Sequence, residues 1–263
     1  MLFINPRSGD GGADELIEAA RERGISTHVL ARGDDLEELA RASDSDALGM
    51  AGGDGSLAVV AAVAIERDLP FVCIPFGTRN HFARDLGLDR DDPIGALDAL
   101  VDGEQQLVDV GRANERLFLN NVSLGVYARL VHRREHHRRR SNAFARFRAL
   151  AIVASHRDPV DITVDGEQIE SRVVLVSNNA YTLEVLSIGE RERLDEGSLH
   201  LYAPTGLLRS NWTERRGASF KVDARPGRLR AAIDGEPETL ETPIEFRVEP
   251  RALRVLVPRS PGA

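Results

Sequence analysis

Sulfur, aromatic residues and lysine are all scarce in this chain, and each scarcity excludes something. Cys73 is the only cysteine among 263 residues, which forbids an internal disulfide and fits a reducing compartment. Lys221, the sole lysine, follows Phe220, so the Walker signature G-x-x-x-x-G-K-[ST] is missing. Aromatic residues reach only 5%, and no recognisable RNA-binding module is present. Long apolar runs are absent too: no window approaches the roughly 18 to 20 consecutive apolar residues of a membrane-spanning helix. Met1-Leu2-Phe3-Ile4 passes into Asn5-Pro6-Arg7-Ser8-Gly9 with neither a basic n-region nor an apolar h-region, so the expectation is a cytoplasmic chain without a secretory signal. Positive charge is in deficit, with 34 Lys and Arg against 42 Asp and Glu for a net −8, which argues against a nucleic-acid partner.

The hydrophobic content is 42%, ordinary for a globular chain of one large or two smaller domains. Leu2-Phe3-Ile4 reads as a strand and runs into a Gly-rich loop, followed by Leu16, Ile17, Ala19 and Ala20 at helical spacing. The rhythm repeats: a strand over Ser26–Leu30, a helix over Asp34–Ala42 capped by Asp34 or Asp35, a strand over Ala47–Ala51, an apolar helix over Ser56–Ile65 and a strand over Pro70–Pro75. Such alternation predicts a doubly wound, mostly parallel α/β sheet with ligands at the carboxyl ends of its strands. After about Gly111 short strands dominate: Leu117–Val122, Asp161–Val164, Arg172–Ser177, Ser198–Tyr202, Ser219–Val222, Leu229–Ile233, Ile244–Val248 and Leu253–Val257. The expectation is an α/β domain over residues 1–112, a β-rich domain over 113–263, and an active site in a cleft between them.

Three loops at strand ends carry the chemistry. Gly52-Gly53-Asp54-Gly55-Ser56 leads straight into a helix, so backbone N–H groups and the helix N-terminus can face an anion. Gly53–Ala58 also satisfies G-x-G-x-x-A, but the next strand ends Ile74-Pro75-Phe76 without the acid that a dinucleotide fold requires. Asp54 has two readings: it organises phosphates through a divalent cation or contacts a hydroxyl, or it simply caps the helix that begins near Ser56. Asn5–Gly9 and Phe76-Gly77-Thr78-Arg79-Asn80-His81 repeat the design on neighbouring strands, with Ser8, Thr78 and Asn80 as hydrogen-bond groups and Arg7 and Arg79 as cations for phosphate.

Taken in order with Gly77–Arg84 and the late Asp234-Gly235-Glu236 before Thr242-Pro243-Ile244, these loops resemble the catalytic domain of diacylglycerol kinases, including soluble bacterial lipid kinases and sphingosine kinases. The resemblance runs from Asn5 to Pro258. It implies a C-terminal β-sandwich, ATP and Mg²⁺ in the cleft, and phosphorylation of a diacylglycerol-like lipid hydroxyl. Carried over by position, Asn5, Ser8, Gly9, Gly52, Gly53, Asp54, Gly55, Ser56, Leu57, Gly77, Thr78 and Asn80 bind the nucleotide, Asp54 serves phosphates and metal, and Glu236 is the general base. Asp195 and Glu196 fall where the family has a metal-associated turn, with Glu196 in place of the usual Asp. Arg79 and His81 replace the family's usual Gly and Asp, and Ala31 stands where a Thr often follows the second strand. The tripeptide Asp165-Gly166-Glu167 duplicates Asp234-Gly235-Glu236, and either can be a plain hairpin turn. A catalytically silent lipid- or nucleotide-binding module and an NAD-kinase-like enzyme are the rival readings.

One stretch departs from the acidic average. Between Arg129 and Arg148 eight arginines face one acid, Glu135, for a local +7. With Leu130, Val131, Phe144, Phe147 and Leu150 as an apolar complement, Arg133, Arg134, Arg138, Arg139 and Arg140 suit peripheral docking to anionic phospholipid. An ordinary solvated helix is the alternative. The sequence sets no oligomeric state.

Overall fold

The computed structural model describes residues 1–9, 11–77, 80–125, 161–171, 173–184, 187–188, 190–204, 212–225 and 227–259. Thr78, Arg79 and the arginines from Arg129 to Arg148 lie outside them. Contacts divide the chain into two compact units, the first of Met1–Val110 and Pro250–Ala263 and the second of Gly111–Glu249.

The first unit alternates strand and helix: β1 Leu2–Ile4, α1 Ala13–Glu22, β2 Thr27–Val29, α2 Leu36–Ala42, β3 Leu48–Gly52, α3 Asp54–Glu66, β4 Phe71–Pro75 and α4 His81–Asp85. Asp35 caps α2 as its position suggests, its carboxylate accepting the N–H groups of Glu37 and Glu38. The strands lie in the order β2-β1-β3-β4 and pair in parallel. Leu2, Ile4, Ala51, Val72 and Ile74 pack with Leu16, Ala19 and Ala20 of α1. Their alternates Phe3, Met50 and Cys73 point the other way and are buried as well, so the sheet is covered on both faces as parallel sheets require.

The remaining elements are strands: β5 Glu104–Ala113, β6 Arg116–Phe118, β7 Asn121–Gly125, β8 Ile162–Val164, β9 Glu167–Ile169, β10 Val173–Asn178, β11 Leu183–Glu184, β12 Ser187–Ile188, β13 Leu199–Pro204, β14 Trp212–Gly217, β15 Ser219–Ala224, β16 Arg228–Ile233, β17 Glu236–Glu241 and β18 Ile244–Val257. In the second unit one antiparallel sheet runs β14-β13-β10-β7-β16-β17, and β18, β15, β8 and β9 follow one another in another. Val122, Leu124, Val174, Leu199 and Ala231 from the first sheet share one core with Ile162, Val164, Phe220, Val222 and Phe246 from the second. This is a sandwich.

Two segments differ from the strand pattern read in the sequence. Leu117–Val122 is broken after Phe118, because Leu119 and Asn120 turn their N–H groups to the carboxylate of Asp234. Ile244–Val248 and Leu253–Val257 are one strand: residues 244–247 pair antiparallel with β15 in the second unit, and Val255 and Leu256 pair in parallel with β4 in the first. No helix among the described residues is long and apolar enough to cross a membrane.

Candidate functional site

In the strand order β2-β1-β3-β4, the chain leaves β1 toward β2 on one side and returns to β3 on the other. Ligands of open α/β sheets bind outside the carboxyl ends at such a switch point. The segments there are Asn5–Gly9 after β1 and Gly52–Ser56 after β3, joined where Asn5 N–H donates to the Ala51 carbonyl at 2.9 Å. Asn5 folds its own loop, its Oδ1 accepting the Arg7 N–H at 3.1 Å and its carbonyl accepting the Ser8 N–H at 3.0 Å.

The third loop closes onto both. Gly9 has φ +74°, and a Cβ there would lie 3.2 Å from the Phe76 carbonyl oxygen. At Gly77 a Cβ would lie 2.9 Å from Gly53 Cα, 3.1 Å from the Gly52 carbonyl oxygen and 2.7 Å from Asn80 Oδ1. Only glycine permits that approach. Gly77→Ala is therefore expected to spread the loops and cost about 1–3 kcal/mol, read as a lower denaturant midpoint at unchanged slope. An unchanged midpoint would show that the loops do not meet in solution.

Asn80 acts as the clamp of this loop. Its backbone is left-handed at φ 46°, ψ 49°, a conformation Asn tolerates better than most residues. Its Nδ2 donates to the Gly77 carbonyl and its Oδ1 accepts the Gly77 N–H, both at 2.7 Å. The side chain is buried and largely spent on the loop itself.

Asp54 does not cap its own helix. The cap of α3 is Gly53, with no side-chain hydrogen bond, and Asp54 is the first helical residue. Its buried carboxylate accepts the N–H groups of Phe82 at 3.2 Å and His81 at 3.4 Å, tying the β3 loop to the start of α4. The N–H groups of Asp54 and Gly55, at the start of the helix, have no intrahelical acceptor. Ser56 and Leu57 both donate to the Gly53 carbonyl, at 2.9 and 3.1 Å. Leu57 is fully buried and serves the core. Burial, and after it the Asp54 carboxylate, push the Cys73 thiol well above its ordinary range, so this cysteine stays a neutral core residue.

In the second unit Asp234 and Gly235 form the tight turn between β16 and β17 at φ 47° and 87°, and Asp165 and Gly166 form a like turn between β8 and β9 at 53° and 83°. The two tripeptides differ in what their acids hold. Asp165 accepts one N–H, from Lys221 at 2.8 Å. Asp234 is buried and accepts three, from Leu119 and Asn120 at 2.7 Å and Asn121 at 3.0 Å. Glu167 is exposed and paired with Arg215 at 2.6 Å. Glu236 is exposed, and among the described residues its carboxylate has no ion pair.

Asp195 and Glu196 do not assemble a metal-binding set. Asp195 pairs with Arg193 at 2.9 Å. Glu196 lies 3.1 Å from His200 Nε2 and accepts the Ala180 N–H at 3.3 Å. Burial, opposed by Glu196, holds the His200 imidazole below its ordinary value. Among the described residues no three His, Cys, Asp or Glu side chains come together as a metal site. Arg191 is a buried cation that the sequence reading passed over, since Glu190-Arg191-Glu192-Arg193 looks like an exposed charged run. It is 2% exposed.

Residues 1–113 match the family model of the diacylglycerol kinase catalytic domain; Asp195, Glu196 and Glu236 lie beyond the matched part. A diacylglycerol kinase of Mycobacterium tuberculosis is 34% identical over 122 residues, which cover 43% of this chain and 40% of the relative. One of Staphylococcus epidermidis is 44% identical over 135 residues, 47% of this chain and 42% of the relative. The matched part thus spans less than half the length of these relatives. The crystal structure of a diacylglycerol kinase from Bacillus anthracis superposes with a TM-score of 0.70 at 20% identity, covering 97% of this chain and 95% of that one, a likeness of fold. The likeness first carried by Asn5–Gly9, Gly52–Ser56 and Gly77–Arg84 is therefore to the diacylglycerol kinase catalytic domain, and it holds over residues 1–113.

Proposed function

We propose that this chain is a lipid kinase that transfers the γ-phosphate of ATP to the hydroxyl of a diacylglycerol-like acceptor. The observation that carries the reading is the convergence of three Gly-containing loops at the β1/β3 switch point, within the residues that match the family model. The start of α3 offers backbone N–H groups to phosphate oxygens, and Asn5, Ser8, Gly9 and Ser56 belong to the same loops. Mg²⁺ enters with the triphosphate as part of the substrate, since this ion is held by one or two carboxylates together with phosphates and water. Asp54 is the carboxylate beside that position. In the transfer, the acceptor oxygen bonds to the γ-phosphorus as the bond to the β-phosphate oxygen breaks. ADP leaves, and the hydroxyl proton passes to Glu236.

Incubation with radiolabelled ATP and an extracted lipid mixture tests this, with identification of the labelled product. A labelled phospholipid supports it. Label on a dinucleotide would favour an NAD-kinase-like enzyme, and ATP binding without transfer would favour a silent module.

The same reading gives the arginine-rich stretch a purpose. A +7 segment in a −8 chain suits an anionic bilayer, at about 1 kcal/mol per basic residue near the surface. Replacing Arg138, Arg139 and Arg140 by Ser is expected to weaken sedimentation with anionic vesicles and to raise the apparent KM for vesicle-borne substrate. Both differences should shrink at high salt. Equal binding of the unmodified protein to anionic and neutral vesicles would remove the idea.

A further inference from the structure

We infer that Arg191 is a positioning residue for the reaction proposed above: a buried cation that holds the segment Leu119–Asn121 and, through it, the turn that presents Glu236. The inference rests on the reading of Glu236 as the general base.

Arg191 lies in the interior of the second unit. Its Nη1 donates to the carbonyls of Leu119 at 2.7 Å and Asn178 at 3.0 Å, and its Nη2 donates to Asn120 Oδ1 at 2.6 Å. The guanidinium also lies 5.7 Å from the centre of the Tyr181 ring, whose hydroxyl accepts from Asn121 Nδ2 at 2.9 Å. Asn178 completes the grip, with its Nδ2 donating to the Leu119 carbonyl at 3.2 Å and its N–H to the Asn120 carbonyl at 3.0 Å.

The N–H side of the same three residues is gripped by Asp234. Its carboxylate takes all three N–H groups, and its own N–H returns to the Asn121 carbonyl at 2.9 Å. Leu119–Asn121 therefore runs with a buried cation at the Leu119 carbonyl and the Asn120 side chain and a buried carboxylate at its N–H groups. Glu236 is two residues from Asp234, directly after the two-residue turn Asp234-Gly235. Burying a guanidinium for stability alone is a poor device, because apolar replacements of buried ions are often as stable. Fixing a backbone segment in one conformation is what a planar fork of five donors does better than an apolar side chain.

The test uses purified full chain with Arg191→Met, Arg191→Lys, Glu236→Gln and the double variant Arg191→Met/Glu236→Gln. Arg191→Met is expected to lower kcat about 10- to 100-fold with KM for ATP within about twofold of the parent. Arg191→Lys should recover part of the loss, since it restores the charge. The double variant should be no slower than Glu236→Gln alone, because both changes remove the same contribution. Amide hydrogen exchange should show faster exchange at Leu119, Asn120 and Asn121 in Arg191→Met, and this reading is independent of turnover. Unchanged kcat in Arg191→Met, unchanged exchange at those amides, or losses that multiply in the double variant would each overturn the role of Arg191 while leaving the base assignment standing. A fully active Glu236→Gln would remove the base assignment and this inference with it. If Arg191→Met does not fold, Arg191→Lys takes its place: a lowered kcat, at unchanged KM for ATP, that does not fall further than Glu236→Gln when the two are combined supports the role, and parental kcat with parental exchange overturns it.

Discussion

Asp54→Asn is expected to lose turnover on the order of 10³-fold or more, with the overall fold retained. Two consequences of the change can be told apart. The carboxylate accepts the N–H groups of His81 and Phe82, and an amide can accept only one of them, turning an NH₂ toward the other. One buried N–H left without an acceptor costs about 1–3 kcal/mol, a fall of roughly 2–4 °C in Tm per kcal/mol for a chain of this size. That loss alone leaves the protein folded at 25 °C. The remaining effect is removal of negative charge beside the loop proposed to hold the phosphates, which should appear in kcat. Turnover close to the parent's, with only the lowered Tm, would make Asp54 a strut between the β3 loop and α4 and nothing more.

The α/β part of this fold is legible because each element there carries its own signal. Leu2–Ile4 is short and apolar, Asp35 sits one residue before a helix and bonds as an N-cap, and the glycines fall at strand ends. The strands that escape notice lack that signal. β14 reads Thr213-Glu214-Arg215-Arg216 in its middle, and β17 opens Glu236-Pro237-Glu238; their burial alternates or is partial, so charge conceals the pattern. β18 looks like two strands because Glu249-Pro250-Arg251 interrupts its apolar alternation. The chain passes that point with Arg251 at φ 52° and its N–H on the Asp109 carboxylate at 2.8 Å, a contact 142 residues away in sequence that no local window contains.

The site divides in the same way. Glycines that allow close backbone approach are visible as motifs, and the structure brings Gly9, Gly53 and Gly77 to the loops where the motifs suggest. Asp54 is visible as chemistry, but its partners are not: the N-cap alternative fails because helix α3 starts two residues earlier than the apolar pattern does. The polar interior of the second unit is invisible from sequence. Asp234-Gly235 and Asp165-Gly166 are the same dipeptide in nearly the same backbone conformation, and what sets them apart comes from residues 113 to 115 positions away. Arg191 sits in an alternation of Glu and Arg that suggests a solvated face. Its burial follows from long-range carbonyls, not from its neighbours in sequence.

Glu236→Gln is expected to reduce kcat by about 10²- to 10⁴-fold with ATP binding nearly unchanged, because glutamine keeps the size of the side chain and cannot take the hydroxyl proton. The control is built into the chain. Glu167 begins β9 as Glu236 begins β17, each after an Asp-Gly turn of like geometry. Glu167 is committed to Arg215, and losing an exposed ion pair of this kind changes stability by at most about 1 kcal/mol. Glu167→Gln should therefore leave turnover within about twofold of the parent. Both variants keep their turn aspartates, so a difference between them cannot arise from the turns. Turnover measured for the pair at saturating ATP, alongside ATP affinity, decides the matter. Equal losses, or a loss confined to Glu167→Gln, would withdraw the base from Glu236. The three converging loops of the first unit rest on separate contacts, and the nucleotide site proposed there would stand.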